Sequence, residues 1–83
     1  MPTPEVIEKV RQLHAELEEQ PDAPDLESLR KQIDTVLVEP FHAPHYHGLR
    51  DKLLFAYVGF EIDHPKIAST MQSVINSLTV AGL

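Results

Sequence analysis

The sequence predicts an all-α protein of about four helices, and three observations carry that prediction. Apolar residues recur at alternating spacings of three and four along most of the chain, the period of an amphipathic helix. Prolines and glycines cluster at the ends of these runs, with Gly59 the exception. Acid–base pairs such as Glu5–Lys9 and Glu27–Lys31 stand four residues apart, where they share a helix face.

The first helix is expected over about 4–20. Thr3 is a favoured N-cap residue and Pro4 suits the first helical position. Val6, Val10, Leu13 and Leu17 form one stripe, widened by Ile7. Pro21 ends the helix near Gln20, because its ring clashes with a continuing turn. Residues 20–25 then form a short connection, with Asp25 or Asp22 available to cap the next helix. That second helix is expected over about 25–38, with Leu26, Leu29, Ile33 and Val36 as its stripe and Leu37 beside it. The short link makes helices one and two an antiparallel hairpin.

Residues 39–47 are expected to be a loop, anchored across the hairpin by Phe41 and Tyr46. A third helix follows over about 48–62. Leu49, Leu53, Ala56, Tyr57 and Phe60 line one of its faces, and Leu54 and Val58 extend it. Gly59 costs about 1 kcal/mol relative to Ala in a helix interior, and a close helix contact is one reason to keep it. Asp63-His64-Pro65 marks a joint. Either Asp63 caps the fourth helix, with Ile62 and Ile67 as a hydrophobic staple, or His64 caps it with Pro65 first in the helix. A single helix kinked at Pro65 is the third possibility, and a break is favoured. The last helix is expected over about 64–80, with Ile67, Met71, Val74 and Leu78 as its stripe and Gly82 as its terminator. The two C-terminal helices thus form a second pair, joined at Asp63-His64-Pro65.

At 83 residues the chain is expected to be one domain. A domain of this size buries only about 60% of its unfolded surface, so association with a copy of itself would help. There is no cysteine, which excludes disulfides and thiolate metal sites. The N-terminus has neither the basic nor the apolar region of a signal peptide, and no apolar run is long enough to cross a membrane. A cytoplasmic location is the expectation. Residues 1–41 hold ten acidic and four basic side chains, which accounts for the whole net charge of -6. Such a surface repels phosphate backbones and anionic membranes, so neither nucleic acid nor membrane is an expected partner.

Three kinds of function are weighed against that frame. After Lys66 the last helix carries no charged side chain, whereas a water-exposed helix face usually does. Ser69, Ser73 and Ser77 recur every four residues and would let another helix approach closely. The leading expectation is therefore a non-enzymatic interaction or structural protein that self-associates as a dimer. Its interface would use Ile67, Met71, Val74, Ile75 and Leu78, with Ser69, Ser73 and Ser77 near the contact; a neutral solvated face is the plainer alternative. The second is a metal-binding protein using His42, His45 and His47, with Glu39 three residues before them. Neutral imidazoles bind zinc, nickel or copper, though a polar loop of solvated histidines has the same sequence. The third is a small-ligand binder or enzyme, which would need a cavity lined by perturbed ionisable groups. Glu18–Glu19 and Glu61–Asp63 are the paired carboxylates, and a solvated acidic face explains both. The chain has no nucleophile motif, phosphate loop or dinucleotide fingerprint, so no enzyme activity and no cofactor are expected.

Two segments also carry a resemblance. Leu13-His14-Ala15-Glu16-Leu17 resembles the first-helix L-H-A-E-L of a family of short bacterial proteins classed as a domain of unknown function. Phe60-Glu61-Ile62-Asp63-His64-Pro65-Lys66-Ile67-Ala68, then Leu78 and Gly82-Leu83, resembles the family's F-E-x-x-H-P-x-[LI]-A…L…G-[IL]. Leu29, Ile33 and Leu37 follow the same spacing between them. The resemblance implies a small helical cytoplasmic protein and no particular activity, substrate or cofactor. It also directs attention to His14 and His64, which themselves or through their neighbours would fix how the first hairpin docks on the C-terminal half.

Overall fold

The computed structural model describes residues 1–19 and 26–83. Among the described residues the fold has four α-helices: α1 (Pro4–Glu18), α2 (Glu27–Val38), α3 (Leu49–Phe60) and α4 (Pro65–Val80). A short 3₁₀ turn, Ala43–Tyr46, lies between α2 and α3, and no strand occurs among the described residues. The all-α class and the four segments expected from the periodicity are present. The expected connection at 20–25, with its candidate caps Asp22 and Asp25, lies outside the described residues.

Local chemistry sets several of the helix ends. The Val6 N–H donates to the Thr3 hydroxyl at 3.3 Å, and Pro4 stands in the first turn. His64, not Asp63, is the residue before α4, with Pro65 first in the helix. Ile62 is exposed while Ile67 is buried, so no staple forms between them and the chain breaks at the joint. At the other end of α4, Gly82 adopts φ +75°. The Gly82 N–H donates to Thr79 O at 3.2 Å and the Leu83 N–H to Leu78 O at 2.8 Å. This pair of bonds is a Schellman cap, which satisfies carbonyls the helix leaves open. Gly48, at φ +77°, makes the corresponding turn into α3.

Long-range bonds give the helix directions. Thr70, early in α4, meets Glu16, late in α1, and the Met1 amino group donates to Ala81 O at 2.6 Å. These helices are therefore antiparallel. Arg30 donates to Leu17 O at 2.8 Å and His14 meets Asp34, so α1 and α2 are antiparallel too. Each helix packs on its chain neighbours, and α4 closes the ring on α1.

The core joins all four stripes. Val6, Val10, Leu13 and Leu17 of α1 meet Leu29, Ile33 and Val36 of α2, Leu49 and Leu53 of α3, and Met71, Val74 and Leu78 of α4. The most extensive packing is that of α4 against α1 and α3, so α4 is the central helix of the fold.

Candidate functional sites

That position of α4 corrects the expected interface. Ile67, Met71, Val74, Ile75 and Leu78 are all buried inside the chain itself. They are not available to a second copy without unfolding this one. The serine ridge does permit close approach, but the neighbour is α1 of the same chain: Ser73 and Ser77 line a cleft with Thr3, Pro4 and Val6. Ser69 stays exposed. Two flanking helices bury half of α4, while Ser69, Asn76, Thr79 and Val80 face solvent without a charge. Charged side chains are costly to place where water is excluded.

The long expected loop is an ordered turn structure. Tyr46 is buried in the core, and its hydroxyl donates to Pro40 O at 2.6 Å. Burial pushes the Tyr46 hydroxyl above its ordinary pKa, which keeps it a donor. Gln32 of α2 donates to His47 O at 2.7 Å. Phe41, expected as a second anchor, is instead 66% exposed.

Two tandem turns run through this segment. The His42 N–H donates to Glu39 O at 3.1 Å, and the His45 N–H to His42 O at 3.0 Å. Side chains three apart lie one above the other in such turns. Ligand atoms of Glu39, His42 and His45 accordingly fall within 4.8 Å of one another. The His42 and His45 rings meet edge to face, with centroids 4.4 Å apart. His47, the third candidate from the sequence, is two residues further on and stands outside the group. Glu39 takes its place. The spacing of three was the available signal for this.

His14 and His64 make their own contacts within each half, and it is a neighbour of His14, Glu16, that bonds across the two halves. His14 Nε2 donates to the Asp34 carboxylate at 3.1 Å, with Glu18 at 3.5 Å, so it bridges α1 to α2 within the first hairpin. The His64 ring packs on Phe60 at a centroid distance of 4.9 Å, within the second pair. The contact between the halves that periodicity cannot reveal is Thr70 to Glu16, where one buried hydroxyl donates to both carboxylate oxygens at 2.8 Å.

Two surface features remain. Leu54, Phe55, Val58 and Ile62 form an exposed apolar row on and just beyond α3. Beside it, a groove of about 540 Å³ runs between α2 and α3. Leu26, Leu29, Phe55, Ala56, Gly59 and Phe60 line it, and Ser28, Asp51 and Lys52 supply its polar groups. A Cβ built on Gly59 would meet nothing within 4 Å, so the expected close helix contact there is absent.

Fold and surface together define a small four-helix protein with one apolar helix face turned outward and a histidine-bearing turn at the end of α2. Residues 6–83 match the family described as "Domain of unknown function (DUF4404)", and the chain belongs to that family. No curated protein and no solved structure matches the chain. No helix among the described residues is long and apolar enough to cross a membrane.

Proposed function

We propose that this chain is a non-enzymatic interaction protein that self-associates through α3, as a two-fold dimer. The observation that carries the proposal is the apolar row on α3. Leu54, Phe55, Val58 and Ile62 are 45%, 87%, 71% and 87% exposed. On the opposite side of the same helix, Leu49 and Leu53 are fully buried. Large apolar side chains on two opposite faces of a helix are usually covered on both faces. Large contiguous apolar patches on a free surface mark contact sites.

A second copy is the occupant favoured by the charges beside the row. At 100° per residue, Arg50 and Glu61 lie on the same flank of α3, near its opposite ends. An antiparallel two-fold pairing brings Arg50 of each copy toward Glu61 of the other. The same patch then serves both partners, as closed dimers require.

Light scattering after size exclusion tests the reading. The expected species has about twice the 9.4 kDa of one chain at micromolar concentration. Phe55→Glu with Val58→Glu is expected to give the single-chain mass with unchanged helix content. A wild-type protein that stays at 9.4 kDa across micromolar concentrations overturns the proposal.

A further inference from the structure

The turn at the end of α2 carries an inference independent of α3. Glu39, His42 and His45 are brought together by two backbone turns that do not depend on any bound group. The scaffold under them is fixed: Tyr46 is buried and bonded to Pro40, and Gln32 holds the chain at His47. Pro40 and Pro44 restrict the backbone on either side of His42.

We propose that Glu39, His42 and His45 form a binding site for one divalent first-row transition-metal ion of the zinc class, with the remaining coordination positions open to solvent. Two imidazoles and a carboxylate are donors that suit zinc, cobalt, nickel and copper, whereas calcium and magnesium take oxygen donors. Donors around a tetrahedral zinc lie about 3.3 Å apart at its usual bond lengths. The present spread of up to 4.8 Å closes by side-chain rotation, and Glu39 and His42 are exposed and free to turn.

A second observation points the same way. Nδ1 of His45 is shielded from solvent and has no hydrogen-bond partner among the described residues. Buried polar atoms are nearly always satisfied, so this nitrogen is a donor atom that the chain's own groups leave open, on a ring 4.4 Å from that of His42. His14 shows the contrast. Its Nε2 already faces Asp34 across the hairpin and Glu18 one turn along α1.

Calorimetric titration of the full, tag-free chain with zinc chloride tests the site. One ion per chain is expected to bind. His42→Ala, His45→Ala and Glu39→Gln are each expected to weaken binding about tenfold or more, while His47→Ala keeps the wild-type constant. Amide resonances of residues 39–46 are expected to shift on zinc addition. Circular dichroism in a chelator separates lost ligands from lost fold, since all four variants are expected to match the wild type there. No saturable binding by the wild type overturns the proposal. So does a His47→Ala variant that weakens as much as His45→Ala. Neither result bears on self-association through α3.

Discussion

The Tyr46 hydroxyl donates to the Pro40 carbonyl oxygen at 2.6 Å, closing the segment 40–46 over the end of α2. The ring fills the core while its oxygen holds the segment that carries Glu39, His42 and His45. Tyr46→Phe keeps the ring and removes the bond, so a stability loss of about 1 kcal/mol is expected in urea unfolding. Burial raises the Tyr46 pKa above the unfolded value. The anchor's contribution is therefore complete below pH about 10 and is lost as pH rises through the higher folded value.

Met71→Ala distinguishes a core position from an interface position. Met71 is fully buried between α1 and α3, so the substitution is expected to cost about 2–5 kcal/mol. The loss should appear as a midpoint lower than that of the wild type at every protein concentration, with the mass in size exclusion unchanged.

Arg50→Glu is expected to weaken the α3 dimer severalfold by placing like charges together. Arg50→Glu combined with Glu61→Arg is expected to restore it. Sedimentation equilibrium at low and high salt checks both, and the difference should shrink as salt screens it.

Gly59→Ala is expected to stabilise the chain by about 0.5–1 kcal/mol. The position is inside α3, and a Cβ there meets nothing within 4 Å. The gain comes from the lower conformational freedom of the unfolded chain. Thermal unfolding measures it.

Thr70→Val replaces a buried hydroxyl that donates to Glu16 from the far side of the sequence. A loss of about 1 kcal/mol is expected, because Glu16 is only half-buried and water competes for its carboxylate. Chemical unfolding at neutral pH reports it.

Much of this fold is legible in the chain. The stripes of α1, α2 and α4 follow from spacing alone, since a helix must bury its apolar face wherever it packs. Thr3, Pro65 and Gly82 act within one turn of themselves, so their roles as cap, first residue and terminator are local chemistry. The candidate sites were less legible. His42 and His45 were visible as ligands, but choosing Glu39 over His47 depended on the hand and register of two turns.

The sequence by itself determined the four helical segments and the cap and terminator residues Thr3 and Gly82, because those depend on residues within a few positions of one another. It did not determine which neighbour each apolar side meets. An uncharged helix reads the same whether a second chain or the chain's own flanking helices exclude the water. Only the tertiary structure decided that α4 is the shared centre, with Met71, Val74 and Leu78 fully buried. The same packing left α3 with Leu49 and Leu53 toward the core and Leu54, Phe55, Val58 and Ile62 toward solvent. The physical reason is that periodicity records how a helix is built, whereas burial is a property of the elements that surround it.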